Sequence, residues 1–343
     1  MIIHKNEVLI PVIKRNTSLS YEKRRSLNFT DSGYSDDLQL RMYPHMLFDD
    51  IHNSVLPISQ SYSKRKNYSV QLNPPNINLE ELLITIFISR DGYRKHSLTD
   101  AIGDFISDTA GLLAYWGYVY YEINPAIEVE NEGLGETRLN LFRLLRMPGK
   151  VLKFRNAYIQ FIPKRIRAES KLLFKIIPSK SVWGLSTPSN LGGTKKHRQM
   201  MRSLRFAGLT IPEFVTNRMS QNIENKDFTQ NLGLPEFSFS EFHQIQKLAI
   251  ANESSLWEWP VRNLLREETL EFYQIYRQIK FSQAMCILRE YILARINDLI
   301  EQKLSTSKLY FTDLPNYLDL RKIEVDLIDG RISLEDAYSS IQL

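Results

Sequence analysis

A chain of 343 residues that is 43% hydrophobic and 24% charged has enough apolar content for one large core or two ordinary ones, which excludes a wholly disordered protein. Lys and Arg total 44 against 39 Asp and Glu, and the resulting +5 is too small by itself to demand a polyanionic partner. The single cysteine, Cys286, excludes an internal disulfide and a multi-thiolate metal site, so an intracellular setting is expected.

Residues 1 to about 75 are rich in Ser, Asn, Tyr and charge, carry only short apolar pieces at Val8 to Ile13 and Met46 to Phe48, and read as a lightly structured arm. The opening stretch has no apolar h-region of the kind that starts a signal peptide. An apolar segment over 80–89 is compatible with helix or strand, and its aliphatic run from Leu82 to Ile88 is far short of the roughly 20 residues that span a bilayer. No membrane insertion is expected. Ser97 to Asp100 is a capping box that opens a helix with Leu98, Ile102, Phe105, Ile106, Leu112 and Leu113 on one face, ending at Gly117. Tyr118 to Ile123 alternates as a half-buried strand, and further strands are predicted over 151–162 and 171–177, each stopped by a proline.

Beyond Trp183 the pattern is mostly helical, over 194–207, 212–222 and 238–253, and then over about 267–304, where Ala284, Leu288, Ile292, Ile296 and Leu299 recur at steps of four and three. So long a stripe suits a helix that packs on neighbours. A short strand over 308–312, a helix from about 315, and a last helix opened by the capping box Ser333 to Asp336 complete the chain.

The motifs of small-molecule chemistry are missing. Gly192 and Gly193 before Lys195 and Lys196 lack the four-residue spacing of a phosphate loop and read as a glycine turn ahead of a basic helix. Around Gly330 a calcium loop would place ligands at Val325 and Leu327, which carry no oxygen. The six histidines never pair at metal spacing, and Asp49, Asp50 and His52 read as a solvated turn. No residue is nominated as catalytic, and neither enzymatic activity nor a cofactor is expected.

Charge is strongly segregated. Residues 141–210 hold sixteen cations against Glu169 alone, so this fifth of the chain carries +15 and the remainder −10. Solvated outer faces of strands and a helix would account for part of it, because alternate residues of a sheet point to water. One-signed charge over seventy residues also carries self-repulsion, which a polyanion or an acidic partner would relieve. With no base-reading helix motif in the sequence, such binding would be directed at phosphates and sensitive to salt.

The order of these elements resembles the portal proteins of tailed bacteriophages. The resemblance is carried by a helix ending at Gly117 before the aromatic strand Tyr118 to Ile123, and by strands over 139–146, 151–162 and 171–177 followed by Pro178 to Trp183 and Pro188 to Gly193. Gln246 to Ala251, Trp257 to Pro260 and Glu271 to Phe281 continue it. It closes on Leu288 to Asn297, Leu309 to Phe311, Asp319 to Lys322 and Leu327 to Ala337. It covers about 95–343; the chain is short for the family, and 208–237, at the place of the clip, is brief and without an evident hairpin.

The resemblance implies an α+β, helix-rich subunit with a small β wing module and a long C-terminal helix. The implied segments are an N-terminal arm (1–75), a helix plus wing-like module (76–192), a stem or clip-like helical segment (193–260) and a C-terminal crown or wing-like segment (261–343). It further implies a homo-oligomeric ring, expected to be a dodecamer, at a capsid vertex of a virion assembled in the host cytoplasm. Double-stranded DNA would pass through its channel during packaging and ejection, with the packaging ATPase (the terminase large subunit) and capsid, tail and adaptor proteins as partners. Lys195, Lys196, Arg198, Arg202 and Arg205, on the helix at the place of the first stem helix, are the candidates for channel, intersubunit or DNA contact. Lys195, Arg198, Arg202 and Arg205 follow one helical face at steps of three, four and three. The alternative is a monomeric protein that binds nucleic acid or a partner through 141–210.

Overall fold

A computed structural model describes residues 42–56, 68–87, 97–125, 142–147, 150–161, 173–207, 257–260, 270–304 and 306–341. The fold is α+β: helices pack around small antiparallel sheets. The helices predicted over 212–222 and 238–253, and the segment at the place of a clip, lie outside the described residues.

In chain order the elements are α1 (Met42–Ser54), β1 (Ser69–Asn73), α2 (Ile77–Phe87), α3 (Leu98–Trp116), β2 (Tyr118–Pro125), β3 (Phe142–Arg146), β4 (Val151–Phe154), β5 (Ala157–Phe161), β6 (Phe174–Pro178), β7 (Val182–Ser186), α4 (Gly193–Ala207), α5 (Glu271–Lys303), β8 (Lys308–Thr312), α6 (Tyr317–Ile328) and α7 (Leu334–Ile341). Among the described residues, no helix is long and apolar enough to cross a membrane.

Helix α3 is the centre of the core. Its capping box forms as predicted, Asp100 N–H donating to Ser97 Oγ at 3.1 Å, and Gly117 closes it in the left-handed region at φ 75. Ile102, Ile106, Ala110 and Leu113 are fully buried. Helix α1 lies across α3 so closely that a Cβ at Gly111 would stand 2.8 Å from the Phe48 ring.

The strands form three groups. β1 pairs with β8, β2 lies between β3 and β7, and β5 lies between β4 and β6, all antiparallel. Phe87, Phe105, Tyr121 and Trp183 pack together where α2, α3, β2 and β7 meet, edge-on between Phe87 and Phe105 and stacked between Phe105 and Trp183, with ring centroids 4.8 to 6.1 Å apart.

Four expectations are corrected. Part of the supposed arm belongs to the core: Leu47, Ile51 and Val55 of the α1 segment are fully buried, and Val70 and Leu72 of β1 nearly so. Tyr43, Leu47, Ile51 and Val55 recur every four residues, a helical stripe that the polar average composition concealed. The strand expected over 151–162 is a hairpin, turned at Arg155 and Asn156, with Arg155 itself in the left-handed region at φ 48. Instead of leading directly into helix, Val182–Ser186 forms β7, where Gly184 leaves room for the Tyr120 ring, which a Cβ would meet at 2.7 Å. Asp49, Asp50 and His52 sit on α1 rather than in a turn.

The long helix also differs from expectation. It is 33 residues, and its stripe Ala284, Leu288, Ile292, Ile296 and Leu299 is 0 to 6% exposed within a single chain. Helix α5 lies against α3 and β8 on this side and carries α6 and α7 on another, so it needs no second subunit to cover it.

Two small cores lie beside the main one. Ile275, Ile279, Leu327 and Ala337 join α5, α6 and α7; Met147, Val151 and Ile177 join the β4–β5–β6 sheet to the rest, with Tyr120 and Tyr158 packed against them. At that second junction the Lys175 ammonium donates to Glu122 Oε2, both side chains being buried. Each charge needs the other there, because a lone ion removed from water is costly.

The β4–β5–β6 sheet has an unusual outer side. Directly opposed residues of an antiparallel pair point the same way, so the register puts Leu152, Ile159 and Ile176 in one row, Phe154, Ala157 and Pro178 in the next, and Phe161 with Phe174 in a third. All three rows are apolar. The opposite side, facing the molecule, holds the buried polar pair Gln160 and Lys175 along with Val151 and Ile177.

Candidate nucleic-acid interface

Helix α4 carries the predicted cations, and its placement begins with its start. Gly192 at φ 85 and Gly193 at φ 62 are both left-handed, and their N–H groups donate back to Ser189 and Pro188 carbonyls at 2.9 and 3.0 Å. A Cβ at Gly193 would meet nothing within 4 Å, so this glycine serves the turn and not a close approach. This is the glycine turn expected from the sequence.

His197, Met200, Met201 and Leu204 then recur at steps of three, one and three, which turns them to one side of the helix; all are buried. The His197 side chain sets the helix on the end of α3. Its Nε2 donates to the Ala114 carbonyl at 2.7 Å, and its Nδ1 would stand 2.4 Å from a Cβ on Gly117. Gly117 is therefore required twice, for its left-handed backbone and for the imidazole above it. Burial holds the His197 pKa below its usual value, against the opposing effect of the Ala114 bond, and the nearby Arg205 charge lowers it further. At neutral pH this ring is uncharged, so it anchors the helix without adding to its charge.

The outer side is cationic. Lys195, Lys196, Arg198 and Arg202 are exposed, α4 contains no carboxylate, and none of these four has an ion-pair partner among the described residues. Lys195, Arg198 and Arg202 share the face opposite the buried one; Lys196 stands on a flank. Arg205 departs from the expectation. It lies at the margin of the buried face, is half-buried, and is engaged with the protein.

Elsewhere in the basic segment the cations divide by setting. Lys150, Lys153, Arg155 and Lys180 are exposed around the β4–β5–β6 sheet, Arg146 is half-buried, and Lys175 is consumed by Glu122. Lys164, Arg165, Arg167 and Lys171 lie outside the described residues. Sequence reasoning counted Lys175 with the free charge, since alternation alone does not tell which side of a sheet faces inward.

Among the described residues the remaining titratable groups converge on no reaction centre. Burial raises the Cys286 pKa; its thiol donates to the Pro315 carbonyl at 3.3 Å and receives an Arg289 N–H at 3.2 Å, a packed and unreactive setting. His52 bonds to Asp108 at 3.1 Å, which raises its pKa. Among the described residues no three His, Cys, Asp or Glu side chains converge on a point that could hold a metal. What α4 offers is a row of long, exposed cations on a buried base, a pattern able to meet evenly spaced negative charge. No protein-family model matches the chain, and no curated protein sequence matches it.

Proposed function

We propose that this chain is the subunit of a portal-like connector: a homo-oligomeric ring at a capsid vertex through which double-stranded DNA is packaged and ejected. In this reading α4 is the stem-like helix whose cations touch phosphates in the channel or bridge to acidic groups of the adjacent subunit. The observation that carries it is the outward row of Lys195, Arg198 and Arg202 on a helix clamped by His197. Support also comes from the order of elements, a helix closed by a glycine, an aromatic strand, small sheets, a basic helix and a long C-terminal helix. A conduit for any sequence needs weak, unspecific phosphate contacts, which exposed Lys and Arg provide. The reading requires no cofactor, since the nucleotide chemistry belongs to the packaging ATPase; capsid, tail and adaptor proteins are its other partners.

A second reading is favoured by one observation: the α5 stripe is buried within its own chain, so it asks for no neighbouring subunit. A monomeric protein binding nucleic acid through 141–210 would have this property as well.

Native mass by mass photometry, with negative-stain images of the same sample, separates the two. Closed rings near twelve times 40.2 kDa, or a neighbouring multiple, support the connector; a monomer that binds duplex DNA with a steep salt dependence replaces it with the second reading. In either case Arg198→Glu with Arg202→Glu should flatten the slope of log K against log salt by about 2. An unchanged slope would remove α4 from the interface.

A further inference from the structure

We propose that Tyr118, Tyr120 and Tyr158, at the junction of the two three-stranded sheets, form a stacking platform for single-stranded nucleic acid. Strand β2 alternates, so Tyr118, Tyr120 and Glu122 stand on the face opposite Val119 and Tyr121, which belong to the main core. The β4–β5–β6 sheet meets that face with its inner side, where Lys153, Tyr158 and Ile177 form one row and Val151, Gln160 and Lys175 the next. Glu122 and Lys175 pair where the junction is buried. The three tyrosines lie nearer the surface: all are half-buried, with ring centroids 5.4 Å apart from Tyr118 to Tyr120 and 5.2 Å from Tyr120 to Tyr158.

Packing within the protein accounts for only part of this ladder. Tyr120 lies over Gly184 and, with Tyr158, against Met147, Val151 and Ile177. Yet all three rings keep exposed surface, and among the described residues their hydroxyls make no hydrogen bond. Tyr121, on the other face of the same strand, is buried and bonds to Thr109 at 2.7 Å. That is how a tyrosine spent on the core ordinarily behaves.

The charge around the ladder indicates the ligand. The Asn156 carbonyl accepts the Ser179 N–H at 2.8 Å, which draws the β4–β5 turn beside the turn that precedes β7. Lys153, Arg155 and Lys180 thereby collect at the end of the sheet that carries Tyr158; all three are exposed, and none has an ion-pair partner among the described residues. The Lys153 ammonium lies 6.0 Å from the Tyr158 ring centroid. At the other end Tyr118 follows Gly117, on which His197 seats the basic helix α4. Residues 142–161 and 173–207, which supply both ends, contain no carboxylate, and Glu122 of β2 is spent on Lys175. Any nucleic acid brings phosphates to such cations, but a duplex keeps its base faces stacked within itself. Half-exposed tyrosines beside unpaired lysines suit a strand whose bases are free, and they take any sequence because every base has a π face. A neutral glycan would use the rings and leave the cations idle. The inference rests on the nucleic-acid contact common to both readings of the function, and adds a site for unpaired strands apart from the duplex contact of α4.

The test titrates the full-length chain, by fluorescence anisotropy, against labelled oligo(dT) of about 16 nucleotides and against a mixed-sequence duplex of the same length. Tyr118→Leu with Tyr158→Leu should weaken oligo(dT) binding by about 30-fold and duplex binding by less than about threefold; Tyr118→Phe with Tyr158→Phe should keep the parent affinity for both. Lys153→Gln with Lys180→Gln, at two exposed positions, should flatten the oligo(dT) slope of log K against log salt by about 1.4. Circular dichroism checks each variant, and if the leucine pair loses its fold the lysine pair decides. A parent chain that binds duplex alone overturns the proposal, as do leucine variants that bind oligo(dT) like the parent, equal losses for strand and duplex, or an unchanged oligo(dT) slope. Each of those outcomes leaves the α4 contact standing, whereas a parent chain that binds neither probe overturns both.

Discussion

Helices α4 and α5 both carry arginines, and the fold uses two on each in opposite ways, leaving aside Arg205 of α4 and Arg295 of α5, both half-buried. On α5, Arg277 and Arg289 are 6% exposed and spent on the chain itself: Arg277 donates to the Trp259 carbonyl at 2.9 Å, and Arg289 to the Pro315 carbonyl at 2.7 Å. Lys280 of the same helix reaches Glu324 of α6 at 3.2 Å. On α4, Arg198 and Arg202 point outward with no such acceptor among the described residues. A buried cation is fixed by the carbonyls it satisfies, whereas an exposed one has little to contribute to folding. The contrast separates positive charge that builds the molecule from positive charge available to something outside it.

Substitutions can test that division. The largest effect is expected at the anchor of α4: Gly117→Ala combines a left-handed backbone with a Cβ pressed into His197, and should destabilise by about 3 kcal/mol in chemical denaturation. A change under 1 kcal/mol would mean that α4 is not seated through this contact. Arg289→Met keeps the apolar stem but removes the guanidinium bond to the Pro315 carbonyl, leaving it the weaker Cys286 thiol as donor, with an expected loss of about 1 kcal/mol.

Acid should loosen α4 through His197. Because its pKa is lowered on folding, the unfolded chain binds the extra proton first, and the contribution of the neutral ring is intact above about pH 6.5 and lost as pH falls below it. NMR titration of the ring, or melting curves from pH 7 to 5, would detect this; a His197 that titrates at or above the usual value would contradict the buried, neutral anchor. The smallest stability effect belongs to Arg198→Glu with Arg202→Glu, expected within about 0.5 kcal/mol of the parent. A large loss would put these arginines in the same class as those of α5.

The helices with local punctuation were legible in the sequence. Ser97 with Asp100, Ser333 with Asp336 and Gly117 marked termini that need no tertiary information, and the α5 stripe was regular enough to read over many turns. Elements whose signals depend on partners were not. Helix α1 sits in polar surroundings, β7 contains a glycine that makes sense only beneath Tyr120, and the turn at Arg155 and Asn156 lacks glycine. For the candidate site, spacing placed Lys195, Arg198 and Arg202 on one face, but the half-burial of Arg205 and the capture of Lys175 by Glu122 arise from elements distant in the chain. Which side of a strand faces inward is decided by what packs on it.

The pairing of β1 with β8 joins Ser69 to Thr312, residues 243 positions apart. At ordinary synthesis speeds of about 5–20 residues per second, β1 leaves the ribosome roughly 10 to 50 s before its partner strand exists. During that interval Val70 and Leu72 have no strand beside them, and the stripe of α1 and α3 that α5 finally covers is open. The nascent chain should therefore be a customer for chaperones, and a truncation just before residue 308 should yield an aggregation-prone product even though every residue of α4 and its cations has already been made.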